Sequence, residues 1–502
     1  MESLPKDPRD IFKVLSPLAL GAQLLLIALV VVLVRRRYLS SISDIPGPKW
    51  AALTRLWHIN QIWSGHQNLT FLDLHKKHGH FVRIGPNEVS VTHPDAIKKL
   101  ILTPQRKGYW YQIMRFPDWR FITPLSTTEP KEKVERSRQL ASAYAMSNVI
   151  KSEELIGGLI SKLTGWMDKH ADAREPMDLA SFFTYTAFDV VGELVFSKPF
   201  GFLDQGIDID NSISQAIGLE CYVSIAGYFQ WLHNILVANP FLTWLDIMPT
   251  NYLSTTSNKA LEARRANQDA RFDFVAHWLK AHEQNPDRLT YRDVGSACMA
   301  NVGAGSDTVS CVLQSFVYHA LRHPSVWNSV RQEIDEARCG GLCTDDVISY
   351  ADALKLPYLQ ACLKETMRIF HPIALGSPRI VPEGGLTIDD HTFREGTILS
   401  LNVFAMNLST DIWGPDAKQF KPERWLGKDA AVLEKHFIPF SGGISTCPGQ
   451  HLARIELSKI LATIVRDYDI WQVNPDQEWH YHAYFTTVPG NWPVYIKKRK
   501  AQ

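Results

Sequence analysis

The chain has 502 residues, and its 53 lysine and arginine residues nearly balance 52 aspartate and glutamate residues, which leaves a formal net charge of +1. This balance disfavours binding of nucleic acid by the whole surface, so we expect no nucleic-acid partner. With 45% hydrophobic and 21% charged residues, the composition disfavours a disordered, collagenous or coiled-coil chain. The 7 cysteines are odd in number and irregularly spaced, which disfavours a disulfide framework and favours a reducing compartment.

The first strong pattern is the uncharged run of residues 14–34, which is followed directly by Arg35, Arg36 and Arg37. A helix of about 20 apolar residues spans the ~30 Å hydrocarbon core of a bilayer, so we predict a membrane anchor. The alternative is a cleaved signal peptide, whose apolar region is normally only about 7–15 residues long. The positive-inside rule would keep the arginines in the cytosol and leave residues 1–13 as a short lumenal tail.

Residues 35–48 join this basic stop to a Pro-Gly-Pro sequence that cannot continue a helix. We predict a stiff hinge that holds the body of the protein against the membrane, with a plain linker as the alternative. No repeat or low-complexity block interrupts residues 49–502, so we predict one large domain. Helical periodicity dominates residues 130–370, and strand-like runs occur at 81–84, 88–91, 386–388, 397–400 and 494–496. The predicted fold class is mainly α with small β-sheets.

The segment 218–249 is unusually apolar and aromatic. One interpretation is ordinary core packing. The other is a surface that dips into the same bilayer as the anchor, because tryptophan and tyrosine suit the membrane interface.

A long helical pattern from about Asp293 to Arg322 contains Ala304-Gly305-Ser306-Asp307-Thr308. A glycine inside a helix costs roughly 1 kcal/mol relative to alanine, so Gly303 and Gly305 indicate a bend or a close approach. Asp307 and Thr308 place an ionisable group and a hydroxyl at this point, which together can relay protons to a bound ligand. Helix packing beside a solvated aspartate is the alternative.

A second helix starts at Pro357 and carries Glu365 and Arg368 one turn apart. An exposed pair at this spacing would contribute only about 0.2–0.5 kcal/mol. Arg424, in Pro422-Glu423-Arg424-Trp425, is the candidate for a third partner, because one carboxylate can accept hydrogen bonds from two guanidinium groups. We therefore predict a buried triad.

The most specific feature is Phe440-Ser441-Gly442-Gly443-Ile444-Ser445-Thr446-Cys447-Pro448-Gly449, which precedes an amphipathic helix. A cysteine in a glycine-rich loop at a helix N-terminus has backbone N–H groups around its sulfur, and these stabilise a thiolate. A structural zinc would need further ligands nearby, and a buried inert cysteine is the remaining alternative. A haem iron needs only this one protein ligand on its proximal side.

These motifs, in this order and spacing, resemble the cytochrome P450 superfamily of haem-thiolate monooxygenases, and most closely its membrane-bound members from the secondary metabolism of filamentous fungi. The resemblance spans the chain, from the anchor and the Pro-Gly-Pro hinge to Tyr484-Phe485-Thr486-Thr487-Val488-Pro489. It implies the following roles in binding haem b: Cys447 as axial thiolate ligand, Phe440, Gly443 and Gly449 as its loop, and Arg379 and Lys133 as propionate partners. It further implies proton delivery by Asp307 and Thr308, an oxygen groove at Ala304 and Gly305, and a structural triad of Glu365, Arg368 and Arg424.

The chain departs from the family pattern at three places. Ser445 stands where the loop usually has arginine, Lys133 and Ser137 stand where the early helix usually has histidine and arginine, and Val309 follows the acid–alcohol pair. The first two departures remove propionate partners, and either Arg136 or Arg138 could substitute. Thr308 itself is intact.

The resemblance implies insertion of one oxygen atom from O2 into an apolar small molecule, with electrons from NADPH through a separate reductase and cytochrome b5 as a further partner. No Gly-rich dinucleotide motif follows a strand in this chain, which agrees with a separate reductase. We expect a single-pass protein of the endoplasmic reticulum membrane whose catalytic domain, residues 49–502, faces the cytosol. A haem-thiolate isomerase or dehydratase and a non-catalytic haem sensor remain as alternatives.

Candidate walls of the substrate pocket are Tyr109, Trp110, Tyr111, Phe116, Val302, Gly303, residues 373–377 and residues 485–488.

Overall fold

The computed structural model describes residues 8–245, 251–267 and 273–499. Part of the predicted lumenal tail and the end of the aromatic segment, residues 1–7 and 246–249, therefore lie outside the described residues. Within the described ranges the α-helices are α1 (Pro8–Tyr38), α2 (Lys49–Leu53), α3 (Leu56–Trp63), α4 (Gln67–His78), α5 (Pro130–Leu140), α6 (Met146–Val149), α7 (Glu153–Ala173), α8 (Leu179–Phe196), α9 (Phe202–Gln205), α10 (Ser212–Ala226), α11 (Gln230–Leu236), α12 (Pro240–Trp244), α13 (Tyr252–Ala266), α14 (Phe274–Gln284), α15 (Tyr291–Arg322), α16 (Pro324–Cys339), α17 (Tyr350–Ala353), α18 (Pro357–Ile369), α19 (Val403–Asn407), α20 (Thr410–Trp413), α21 (Ala430–Leu433) and α22 (Gln450–Asp467).

The strands are short and lie mainly near the two ends of the chain: β1 (Phe81–Gly85), β2 (Glu88–Val91), β3 (Ser377–Ile380), β4 (Leu386–Ile388), β5 (His391–Phe393), β6 (Ile398–Leu401), β7 (Tyr468–Gln472), β8 (His480–Ala483), β9 (Thr487–Gly490) and β10 (Val494–Lys498). β1, β2, β6 and β3 form a four-stranded sheet in that order, and the others form two-stranded pairs. The predicted class, mainly α with small sheets, is confirmed.

Sequence patterns located β1, β2, β4, β6 and β10 but neither the other five described strands nor the pairings. β6 pairs in parallel with β2 and antiparallel with β3, while β4 pairs with the missed strand β5. A parallel pair between strands about 300 residues apart leaves no local turn signal, so the chain itself does not reveal which strand is the neighbour.

The interior is built around α8 and α15, which pack along much of their length. α8 is apolar and almost wholly buried, so its hydropathy reflects a core helix rather than a second membrane span. α15 begins with a capping box in which Thr290 and Asp293 exchange hydrogen bonds, and it runs unbroken to Arg322. A Cβ on Gly305 would lie 2.8 Å from Val191 Cγ2, whereas none of the atoms described lies within 4 Å of one on Gly303. Close approach to α8 therefore explains Gly305, and α15 continues without a break through both glycines.

The N-terminal part of the chain combines an exposed helix with a docked hinge. Residues 19–38 of α1 are long and apolar enough to cross a membrane, and none of that window is buried. After it, Pro46 accepts a hydrogen bond from the backbone N–H of Arg83 in β1, and a Cβ on Gly47 would collide with the carbonyl oxygen of Arg83. The Pro-Gly-Pro segment is thus packed against the sheet and is not a free linker.

Candidate active site

The loop before Cys447 is held in a tight, closed conformation. The backbone N–H of Cys447 donates to the carbonyl oxygen of Phe440 at 2.9 Å, which closes the loop between them. Gly443 has a positive φ of 55°, and a Cβ there would lie 3.0 Å from the carbonyl oxygens of Ile101 and Leu102. A side chain at position 443 would therefore be both strained and crowded, so this glycine is required by the fold.

The Cys447 sulfur lies at the N-terminal end of α22. Backbone N–H groups of Gly449 and Gln450 form hydrogen bonds to it, and these oppose the effect of burial, which raises the pKa of the thiol. Among the described residues no group of three histidine, cysteine or acidic side chains could hold a metal ion. A metal at Cys447 must therefore bring most of its ligands with it, as the iron of a haem does.

Three buried cations form the second part of the site. Lys107, Lys133 and Arg379 are each less than 10% exposed, and within the described part of the chain none of them pairs with a carboxylate. Burial and then the neighbouring Lys133 and Arg379 lower the pKa of Lys107 well below its usual value, and burial and Arg379 lower the pKa of Lys133 to about 8. Clustered, desolvated charges of one sign are unfavourable unless an anion joins them.

The cation cluster touches the cysteine loop directly. Lys133 Nζ donates to the carbonyl oxygen of Ile444 at 2.6 Å, and Arg379 Nη2 donates to Ser445 Oγ at 3.2 Å. Lys107 Nζ donates to the carbonyl oxygens of Pro124 and Leu125. A flat cofactor with two carboxylates and one open iron position fits this arrangement, because the sulfur and the cations flank one loop.

Arg136 and Arg138 are not members of this cluster. Arg136 donates to Glu132 and to Asp293, both at 2.9 Å, and Arg138 has a side chain that is 70% exposed beside Glu135. The expectation that one of them substitutes for the missing propionate partner finds no support in the structure. The third cation comes instead from Lys107, which sequence reasoning missed because no motif surrounds it.

Asp307 and Thr308, the residues predicted to deliver protons, lie on α15. Thr308 Oγ1 donates to the carbonyl oxygen of Ala304 at 3.0 Å, while Asp307 is buried on a neighbouring face of the helix. Burial, and then the charge of Glu220, raise the pKa of Asp307 well above its usual value. Ala304 is exposed, and the adjacent Gly305 is half-buried and lies close to Val191 of α8.

Tyr144 is hydrogen-bonded to α15 and lies near Cys447. Its hydroxyl exchanges hydrogen bonds with the side-chain amide of Asn301 on α15, at 2.7 to 3.0 Å. Burial raises the pKa of this phenol, and the nearby Cys447 adds to the effect. Asn301, which lies three residues before Ala304 along α15, and Cys447 are therefore both near the Tyr144 side chain.

Glu365 is the centre of a buried polar network. Its two carboxylate oxygens each accept a hydrogen bond from Arg368 at 2.8 Å, and Oε1 also accepts one from Arg424 Nε at 3.0 Å. The indole N–H of Trp425 and the backbone N–H of Lys421 complete the set. Arg368 further donates to carbonyl oxygens of the 407–419 segment, so the network ties α18 to the chain that leads to the cysteine loop.

Some of the predicted pocket walls form one apolar cluster and others do not. Trp110 stacks on Phe485 with ring centroids 5.3 Å apart, and Tyr111 and Leu375 join them. Tyr109 and Phe116 are instead well exposed, and Val302 belongs to the main core.

The comparison with known sequences agrees with this geometry. The Cytochrome P450 family matches residues 46–483, and the chain belongs to that family. Among its relatives are the Cytochrome P450 monooxygenase hepC of Aspergillus oryzae, 30% identical over 89% of this chain and 91% of the relative, and the Pisatin demethylase of Fusarium vanettenii, 28% identical over 92% and 90%. The Cytochrome P450 monooxygenase mpaDE of Penicillium roqueforti is 29% identical over 95% of this chain. The chain spans only 58% of the length of that relative.

Proposed function

We propose that the chain is a haem-thiolate monooxygenase that inserts one oxygen atom from O2 into an apolar small molecule of fungal secondary metabolism. The observation that carries this proposal has two parts: the Cys447 sulfur accepts hydrogen bonds from two backbone N–H groups, and beside its loop lie three buried cations that have no carboxylate partner among the described residues. Family membership and the monooxygenase names of hepC and mpaDE support it.

The chain's own residues would act as follows. Cys447 would bind the iron, and Lys107, Lys133 and Arg379 would neutralise the haem propionates. The haem supplies O2 activation, which the electron-donating thiolate favours. Thr308 and Asp307 would hold and deliver protons above it, with Ala304 beside them. Phe440, Gly443 and Gly449 would fix the loop, and Glu365, Arg368 and Arg424 would hold the chain behind it.

Electrons would come from NADPH through a separate reductase, with cytochrome b5 as a second donor. One turnover then consumes a substrate C–H bond, O2, two electrons and two protons, and yields a hydroxylated product and water. We propose an apolar small molecule as the substrate. The cluster of Trp110, Tyr111, Leu375 and Phe485 offers a matching apolar surface.

We further propose an endoplasmic reticulum location, with residues 1–13 in the lumen, 14–34 in the membrane, 35–48 as the hinge and 49–502 in the cytosol. The unburied apolar helix and the arginines at its end support this orientation.

Trp231, Phe241 and Trp244, from the aromatic segment, are 63–76% exposed, which favours contact with the bilayer over core packing.

The decisive test is the carbon-monoxide difference spectrum of the reduced, purified protein. A thiolate-type Soret band is expected, and its absence in intact protein would remove the proposal. Product analysis with the reductase then separates the activities, because a monooxygenase requires O2 and NADPH, whereas an isomerase or dehydratase requires neither. A haem sensor would give the spectrum and no product.

A further inference from the structure

Backbone pairing between distant parts of the chain brings Lys107 and Arg379 together. An antiparallel β-bridge sets Lys107 opposite Arg379. Next to it, the backbone N–H of Gly108 donates to the carbonyl oxygen of Pro378 at 2.9 Å. A Cβ on Gly108 would lie only 2.8 Å from Pro378 Cβ, so the two segments are closely packed. Like charges on directly opposed residues destabilise such a pairing, and this pair therefore needs a group that offsets the repulsion.

The ring of Tyr111 lies against both cations. Lys107 Nζ is 4.8 Å from the ring centroid, and the guanidinium carbon of Arg379 is 5.9 Å from it. Both distances fall within the ~6 Å at which the face of an aromatic ring attracts a cation, and this attraction is strongest where water is excluded. Tyr111 is buried, as are the two cations. Its ring therefore offsets part of the repulsion between Lys107 and Arg379.

Protein contacts on its other side hold Tyr111 in this position. The residue lies in a short 3-10 helix, Tyr109–Met114, where its backbone N–H donates to the carbonyl oxygen of Gly108 at 3.3 Å. Its ring packs edge-to-face on Trp110, with centroids 5.6 Å apart, and the Trp110 indole donates to the carbonyl oxygen of Ser224 at 3.0 Å. Tyr111 thus lies where the apolar cluster of candidate pocket walls meets the cation cluster.

We propose that Tyr111 is a positioning residue of the haem site: its ring face favours the charged forms of Lys107 and Arg379 and holds them side by side for the haem carboxylates. The inference rests on the proposed function, in which these cations neutralise the propionates. Without the ring, the repulsion between two desolvated cations would be relieved only by movement or loss of charge. The haem carboxylates would then meet a weaker partner, so haem would be lost faster.

The rate of haem loss from the full-length holoprotein to an excess of apomyoglobin tests this role. Tyr111→Leu should lose haem roughly 5-fold or more faster than the wild type, in keeping with a desolvated cation–π contact. Tyr111→Phe keeps the ring and should match the wild type. Tyr109→Leu is the matched control: the Tyr109 ring centroid lies 5.1 Å from the guanidinium carbon of Arg106, but Tyr109 is 50% exposed. Its haem-loss rate should be unchanged.

Two further variants separate the charge distribution of the ring from its packing. A trifluorinated phenylalanine at position 111 keeps the shape of the ring but weakens its attraction for cations, because fluorine withdraws electron density from the ring face. It should lose haem faster than Tyr111→Phe. In the Lys107→Met background, Tyr111→Leu should have a smaller effect than in the wild type, because one of the two cations is gone. A packing role would make the two phenylalanine variants alike and the two substitutions additive.

Equal haem-loss rates in the wild type and Tyr111→Leu, or in the fluorinated and unfluorinated phenylalanine variants, would overturn the inference. Loss from Tyr111→Phe as fast as from Tyr111→Leu would also overturn it, since the hydroxyl and not the ring would then be the acting group. Absence of the thiolate-type carbon-monoxide band in the wild type would overturn the proposed function together with the inference. A normal band with equal haem-loss rates would overturn the inference alone.

Discussion

Among single residues, Lys107 gives the most specific prediction for haem binding. It is the third buried cation beside Lys133 and Arg379, and in the proposed haem site it would replace the cation that Ser445 does not provide. We predict that Lys107→Met weakens haem retention by about 10-fold or more, since a charge-assisted hydrogen bond contributes roughly 1.5–3 kcal/mol. Transfer of haem to an excess of apomyoglobin measures the rate of loss.

The control for this prediction is Arg138→Met, which removes an exposed cation from the same region of the chain and should leave the rate unchanged. Installing the family's arginine through Ser445→Arg in the Lys107→Met background should slow haem loss again. Equal rates in the wild type and Lys107→Met would show that Lys107 does not contact the propionates.

Residues differ in how far sequence alone could locate them. Cys447 and Glu365 lie in motifs whose neighbours along the chain already carry the chemistry, so their roles could be predicted from local patterns. Lys107 and Tyr144 interact with residues more than 150 positions away, namely Arg379 and Asn301. Only the tertiary structure brings such partners together, and no spacing rule finds them.

At the scale of secondary-structure elements, the contact between α8 and α15 provides a matched pair of glycine substitutions. Gly305→Ala should destabilise the fold by about 1–3 kcal/mol, because its Cβ would overlap Val191. Gly303→Ala meets no described atom and should be neutral or stabilising by up to about 1 kcal/mol through helix propensity. Denaturant unfolding of the holoenzyme measures both, and Val191→Ala should rescue Gly305→Ala. Equal effects of the two alanines would contradict the close packing.

The link between α18 and the cysteine loop depends on Glu365. We predict that Glu365→Ala costs about 3–5 kcal/mol, because it leaves the guanidinium of the fully buried Arg368 without its carboxylate. The expected result is protein that is largely aggregated or lacks the thiolate Soret band. Glu423→Gln is the matched control, because Glu423 lies in the same segment and, within the described part of the chain, its carboxyl group accepts a side-chain hydrogen bond only from the Tyr358 hydroxyl. A stable, haem-replete Glu365→Ala protein would refute the structural role.

The secondary-structure elements also show which parts of the fold local sequence patterns can predict and which they cannot. Long helices such as α15 were predicted nearly to the residue, because caps and apolar periodicity are local. β3, β5, β7, β8 and β9 were missed: each has at most five residues, and each is stabilised by a partner strand rather than by its own composition.

For the whole molecule, attachment to the membrane should have two separable components. We expect α1 to insert and the exposed side chains of Trp231, Phe241 and Trp244 to lie on the membrane surface. Removal of residues 1–37 should therefore release the chain from integral association but leave binding to lipid vesicles that is resistant to salt. Replacement of the three aromatic residues by serine in the truncated chain should reduce vesicle binding by about 10-fold or more, because each buried aromatic contributes roughly 1.5–3 kcal/mol.

Sedimentation with vesicles of neutral and anionic lipid measures this binding and separates apolar from electrostatic attachment. Because the chain as a whole is nearly neutral, the two vesicle types should bind similarly. A matched truncated protein with serine at Trp471, which is also exposed but lies in β7, should bind as the unmodified truncation does. If the triple substitution leaves vesicle binding unchanged, the aromatic segment does not face the bilayer, and α1 alone would hold the catalytic domain at the membrane.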